Sequence, residues 1–267
     1  GAEDSDDDDG LGSRISGIVQ FDFTNAYFFR GILNSRRAFI FQPWMELYVN
    51  LYESEDGPIR DVTVGAGVWN SIHSDETLAD HSPSALYETD WYPLVSVEFP
   101  YGFTFLGVYY FYTSPNGAWS TVQELDLKLE WDDSEVLGSF ALAPWINAAI
   151  ETQRTSLGDN KGIGIQMGIE PTLVDCECEH LSFSLTAPIE LGISAGDYYE
   201  QPGADDTFGY LSWGLTTTVP LSFVPKGFGD WSFILSGKGF YFGDNLEAVN
   251  HGDPVYGVAM ASLAIEF

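Results

Sequence analysis

Positive charge is scarce in this sequence. Ten Lys and Arg stand against 40 Asp and Glu, a formal net charge of -30. Phosphate recognition needs the opposite sign, which argues against a nucleic-acid partner. Long apolar runs are also missing. No stretch approaches the ~18 residues that a spanning helix needs, and the most apolar one, 140–150, is interrupted by Pro144 and Asn147. Without such runs, a chain can cross a membrane only as a closed barrel. Cysteine is limited to Cys176 and Cys178. Histidine is limited to His73, His81, His180 and His251, none within a serine-hydrolase or zinc-hydrolase motif. No initiator Met is present, so Gly1 reads as a mature or trimmed N-terminus.

Apolar residues make up 45% of the chain and aromatics 15%, with 28 Gly. That is too apolar for a disordered acidic protein, so a folded chain must carry the acid. Residues 1–12 hold Glu3, Asp4 and Asp6 to Asp9 with nothing apolar to bury, and are expected to form a disordered acidic tail. Calcium binding by Asp6 to Asp9 is the lesser reading. Residues 13–267 are expected to form one all-β domain.

The last residues, Val255 to Phe267, alternate with a period of two and end on an aromatic. Phe267, Ile265 and Leu263 fall on one face and Glu266 on the other. Similar alternation runs through Asp61 to Trp69, Glu124 to Trp131, Ile163 to Glu170 and Ser182 to Leu191. Together these segments predict about twelve strands, near 14–30, 39–52, 59–72, 85–99, 102–113, 121–132, 140–153, 162–173, 181–194, 207–221, 231–243 and 254–267. Strands of soluble sandwiches average about five or six residues. A strand of about thirteen, tilted by ~40°, rises roughly 33 Å, enough for the ~25 Å apolar band of an outer-membrane barrel.

The expected architecture is therefore a closed antiparallel up-and-down transmembrane β-barrel in a bacterial outer membrane. Its outer loops would be 31–38, 73–84, 114–120, 154–161, 195–206 and 244–253. The inner turns would be 53–58, 100–101, 133–139, 174–180 and 222–230. An even strand number returns Phe267 to the inner side, with strand 254–267 paired to strand 14–30. Aromatic clusters at Tyr27 to Phe29, Trp91 to Tyr92, Phe99 to Phe103, Trp131, Trp231 to Phe233 and Phe240 to Phe242 would form interfacial girdles. Pro43, Pro93, Pro144, Pro171, Pro188 and Pro220 fall within these strands and call for bulges or different boundaries.

The segment Phe21-Asp22-Phe23-Thr24-Asn25-Ala26-Tyr27-Phe28-Phe29-Arg30-Gly31-Ile32 resembles the opening strand of the TorF family of porins, which carry a Tyr-x-Phe-Arg-Gly-like motif there. Gly65 to Ser71 is similar to that family's Gly-x-Trp-x-Ser strand, and Tyr87-Glu88-Thr89-Asp90 with Tyr92 to its acidic-aromatic strand. The likeness is strongest over residues 17–131. It implies an outer-membrane barrel that acts as a pore for an unassigned solute. The long acidic outer loops and the cysteine pair depart from the family pattern.

If the apolar face meets lipid, parity places Asp22, Glu46, Asp61, Glu88, Asp90, Glu98, Glu124, Asp126, Glu130, Glu151, Glu170 and Glu190 in the lumen. Only Arg30, Lys128 and Lys238 oppose them. Carboxylates confined in a pore attract cations, which predicts a cation-selective diffusion channel for small polar solutes. The competing reading is a plugged lumen in which the basic residues pair with some of the acids. That barrel would be structural, presenting acidic outer loops to partners and conducting little.

Arg30, Arg36 and Arg37 cluster at one predicted outer rim. They suit lipopolysaccharide phosphates or, preferably, neutralisation of nearby acidic loops. Cys176 and Cys178 lie in an inner turn beside His180, as a disulfide, free thiols or, less favoured, metal ligands. Loops 196–206 and 244–253 carry clustered acids but no calcium-loop spacing. His73 and His81, near Ser71, Ser74 and Ser82, carry only a weak lipid-hydrolase reading. No cofactor is expected. The expected contacts are membrane lipid, lipopolysaccharide and small ions or solutes, and an oligomer is compatible with them.

Overall fold

The computed structural model describes residues 14–36, 39–75, 77–177, 182–201 and 206–267. The acidic tail expected over 1–12 lies outside these residues. Alternating residues build one continuous antiparallel wall. Its strands are β1 (Ile15–Thr24), β4 (Ile40–Glu53), β5 (Asp61–His73), β6 (Leu86–Glu98), β7 (Phe103–Thr113) and β8 (Val122–Trp131). It continues through β9 (Trp145–Gln153), β10 (Ile163–Ile169), β13 (Ile189–Gly196), β14 (Phe208–Pro220), β15 (Asp230–Phe242) and β16 (Val255–Glu266). A separate hairpin is formed by β2 (Tyr27–Phe29) and β3 (Ile32–Ser35), whereas β11 (Thr172–Glu177) and β12 (Ser182–Thr186) belong to the wall, continuing β10 and β13 beyond short breaks, with β12 also paired to β14. The short helices are α1 (Ser134–Leu137) and α2 (Asp244–Val249).

Strand β16 pairs with β1, Leu263 opposite Phe21 and Glu266 opposite Ile18, and this pairing closes a twelve-stranded barrel. The terminal strand thus pairs where its position required. The short connections 54–60 and 99–102 lie at the end that holds both termini. In barrels of this class that end faces the periplasm. The opposite end carries 25–39, 74–85, 114–121, 154–162, 197–207 and 243–254.

The exterior is apolar because every second residue faces outwards. Leu127 and Leu129 are exposed, as are Leu211, Trp213 and Leu215, and Phe233 and Leu235. Their neighbours Glu124, Ser212 and Ser262 are buried inside. Phe103 stacks on Trp131 with centroids 5.5 Å apart near the periplasmic end. Phe23 packs against Phe39 and Phe41 near the other.

The prolines mark where the wall departs from the expected boundaries. Pro144 precedes β9, Pro171 separates β10 from β11, Pro188 separates β12 from β13, and Pro220 ends β14. At Pro43 the β4–β5 ladder skips from Phe41–Ile72 to Trp44–Trp69. At Pro93 the β6–β7 ladder skips from Trp91–Phe111 to Leu94–Val108. Each site spares the wall a missing donor. Strand 140–153 is accordingly shorter than expected, because 134–140 turns as a helix before Pro144.

The largest correction concerns residues 25–35. The first strand was expected to reach residue 30, but it stops at Thr24. The chain then turns back into the barrel as the β2–β3 hairpin. Tyr27, Phe28 and Phe29 are therefore not girdle residues. Phe28 stacks inside on Phe240 at 5.0 Å and on Phe242 at 5.5 Å, so those two also leave the girdle. A buried core of Ile32, Tyr198, Tyr199, Tyr210, Phe240, Phe242 and Leu246 packs within the outer half of the lumen.

Candidate functional site: a latched constriction in the lumen

The hairpin tip is Arg30-Gly31, with φ of 46° and 83°. Positive φ at both positions is what a two-residue hairpin turn of the I′ kind requires. A Cβ on Gly31 would meet the Tyr210 ring at 2.7 Å, so the tip packs closely as well as turning. Asn250, just after α2, grips the hairpin like a strand partner. Its Nδ2 donates to the Gly31 carbonyl at 2.8 Å, and its Oδ1 accepts from Leu33 N at 2.9 Å.

The tip aims the Arg30 guanidinium at strand β8. Its Nη2 donates to Asp126 Oδ2 at 2.7 Å, and its Nη1 donates to Glu124 Oε1 and to the Tyr198 hydroxyl. Glu124 is fully buried and also accepts from Tyr198 at 2.8 Å and Tyr112 at 3.0 Å. The Tyr199 hydroxyl donates to the Arg30 carbonyl at 3.3 Å. Beside this group, Tyr27 donates to Glu88 Oε2 at 2.8 Å. Burial pushes the Tyr198 and Tyr199 phenols well above their ordinary range, against the opposing pull of Arg30. They stay protonated and donate.

Cavities lie on both sides of this latch. The outer one encloses about 600 Å³ and includes Phe29, Tyr87, Glu88, Tyr112, Trp119 and Arg154 in its lining. The first inner one encloses about 270 Å³ and reaches from Arg30 and Asp126 to Lys128, Trp145, Asn147 and Gln166. It shares Leu106, Val108 and Tyr110 with a third, of about 300 Å³, which Glu46, Asp61 and Glu98 also line. It shares Lys128 and Trp145 with a fourth, of about 310 Å³, which runs to Glu130 and Glu170.

The structure brings Arg30, Glu124 and Asp126 together, and groups Glu46, Asp61 and Glu98 around one cavity. Lys128 pairs with Glu130, and Lys238 lies 3.5 Å from Glu190. Glu88 and Asp90 are both buried on β6. Asp22, Glu151 and Glu170 have local partners instead. Asp22 accepts from Gln20 at 2.7 Å and Trp44 at 3.1 Å, Glu151 from Gly162 N at 2.8 Å, and Glu170 from Thr186 at 2.8 Å. Arg30 was expected to end the first strand at the outer rim. It sits on the hairpin instead, inside the barrel. Arg36 bonds Asp253 in an outer loop, and Arg37 lies outside the described residues.

Sequence reading missed Asn147, Gln166, Tyr198 and Tyr199 as partners in the site. The Phe29-Arg30-Gly31-Ile32 pattern, a Gly-containing two-residue break between apolar runs, was the available hairpin signal. Cys176 is disulfide-bonded, and Cys178 lies outside the described residues. Those residues contain no group of three metal-ligating side chains. The Ser71 Oγ and His73 Nε2 are 2.8 Å apart, the spacing of a nucleophile and its base. Both are buried, with His73 stacked under Tyr87 at 4.7 Å, so lipid does not reach them.

Comparison with solved structures agrees with this architecture. The COG4313 outer membrane channel from Pseudomonas putida F1 matches with a TM-score of 0.50 at 11% identity, covering 95% of each chain. The chain has the fold of an outer-membrane barrel. The β domain of the Bordetella autotransporter BrkA aligns with a TM-score of 0.43 at 9% identity, over 94% of this chain and 98% of that one. A porin aligns with a TM-score of 0.34 at 10% identity, over 95% and 99%. No protein-family model and no curated protein matches the sequence. A closed antiparallel barrel with an apolar exterior belongs in the bacterial outer membrane, and this protein is placed there.

Proposed function

We propose that the protein is a non-enzymatic channel of the TorF kind, through which small polar solutes diffuse passively with a preference for cations. The observation that carries this is the acidic excess of the inner cavities, where Glu46, Asp61 and Glu98 line one and Glu130 and Glu170 another. Confined carboxylates concentrate cations and repel anions. The test is the reversal potential in planar bilayers under a salt gradient. A cation-selective sign is expected, and an anion-selective sign would sink the proposal.

A second reading follows from the latch. A hairpin bonded across the lumen by Arg30 suits a barrel that conducts little and presents its acidic outer loops to partners. Single-channel recording separates the two readings: discrete conductance steps favour the channel, and a silent bilayer the binding barrel.

A further inference from the structure

We infer that the open edge of β11, at the periplasmic end of the wall, is a docking strand for an extended basic peptide segment of a periplasmic protein. The inference is independent of whether the barrel conducts.

The edge arises from a mismatch between neighbouring strands. β10 lies between β9 and β13, and Gly168 opposite Trp145 is the last rung of its ladder with β9. Beyond that rung the chain ahead of β9 is not a strand, because 134–140 turns as a helix. A single backbone bond follows, from Glu170 N to the Leu142 carbonyl at 2.8 Å. β11 then runs on for six residues past Pro171. Among the described residues its one strand partner is β12. β12 is itself fixed to β14, with Ser184, Leu185 and Thr186 opposite Thr218, Thr217 and Thr216. The ribbon is therefore held as part of the wall, and its side towards β9 is left open. Thr172, Leu173, Val174 and Asp175 are all exposed.

An open row of backbone donors and acceptors is a template for another strand. Such a row is not viable in hydrocarbon, so β11 stands where water or a partner reaches it. Six residues at ~3.3 Å each give an edge of roughly 20 Å, the length of an ordinary strand. In strand addition the backbone supplies affinity, and side chains along the edge choose the partner. Here those side chains are acidic. Asp175 lies on the edge, Glu170 just before it, and Asp132 and Glu135 in the turn that precedes β9, all of them exposed. No Lys or Arg occurs in 129–153 or in 162–187. Leu173 and Val174 on β11, and Leu142 in that turn, add exposed apolar contacts. The matching segment alternates Lys or Arg with apolar residues. Two other occupants are opposed by charge. A second copy would bring its own Asp175 and Glu177 against the same pair, and residues 1–13 carry Glu3, Asp4 and Asp6 to Asp9.

The experiment titrates the full-length protein in detergent into fluorescein-labelled Lys-Val-Lys-Ile-Lys-Val, following fluorescence anisotropy. Saturable binding is expected, with slowed backbone hydrogen exchange at 172–175. The fully N-methylated peptide keeps the charge but has no backbone donors, and should bind roughly ten-fold more weakly. Asp175→Lys reverses the charge on the exposed edge and should weaken binding roughly five-fold. Asp56→Lys, the same change in the 54–60 connection, should leave binding as it was. Heat-modifiable migration on gels confirms that both variants form barrels. Absence of saturable binding would overturn the inference, as would binding without protection of 172–175, equal binding by the N-methylated peptide, or equal losses in the two variants. A dimer in detergent that Asp175→Lys converts to monomer would also overturn it, because a second copy would then hold the edge.

Discussion

Arg30 and Asp126 meet inside the barrel although 96 positions separate them, with Nη2 and Oδ2 2.7 Å apart. Glu124 joins them, and side-chain exposures of 12% for Arg30, 0% for Glu124 and 13% for Asp126 make this a buried ionic group. Removing one member of such a group costs about 3–5 kcal/mol, because a charge is left uncompensated. Arg30→Ala is expected to lower unfolding stability in detergent by about that amount and to raise single-channel conductance. Lower stability with unchanged conductance would show that the hairpin blocks by its bulk alone.

The inner cavity near the periplasmic mouth supplies a separate test of selectivity. Glu46, Asp61 and Glu98 line it together, and none of them bonds Arg30. Replacing them as Glu46→Gln, Asp61→Asn and Glu98→Gln should move the reversal potential towards zero while the barrel still assembles. An unmoved potential would place selectivity at the latch.

Adjacent positions on β15 test which face meets lipid. Leu235 is 50% exposed on the outer face, and Ser236 beside it points inwards. Leu235→Arg should destabilise the barrel by about 2–4 kcal/mol, the range for a cation at mid-bilayer. Ser236→Arg enters an acidic lumen and should be nearly neutral. Equal losses, measured by unfolding in lipid vesicles, would contradict the face assignment.

The bonded state of Cys176 can be read by mass. Unfolded but unreduced protein should take up no alkylating reagent, and reduced protein should take one adduct per cysteine. Adducts without reductant would show free thiols.

The wall was legible because alternation is a local property. A stretch such as Glu124 to Trp131 shows its two faces within a single turn of the pattern, and the Leu263–Phe21 closure follows once the strand count is even. The hairpin was not legible for the opposite reason. Residues 21–30 continue the aromatic alternation of β1, and the two-residue Arg30-Gly31 break marks a turn without showing that Phe28 and Phe29 have already left the wall. The partners of Arg30 lie on β8 and in the 197–201 loop, and no spacing in the sequence joins them. Asn147 and Gln166 look like ordinary lumen amides until their register across β9 and β10 sets one against the other.

The β2–β3 hairpin leaves the rim from two strands that are neighbours, with Thr24 paired to Ile40 where it begins and ends. It is therefore a stopper hinged on one side, and it can withdraw only outwards. Its tip carries a positive charge, and moving one such charge through 100 mV is worth about 2.3 kcal/mol. A voltage that drives cations inwards should favour the seated hairpin, and the reverse polarity should weaken its hold. The barrel should rectify, with unequal branches in its current–voltage curve.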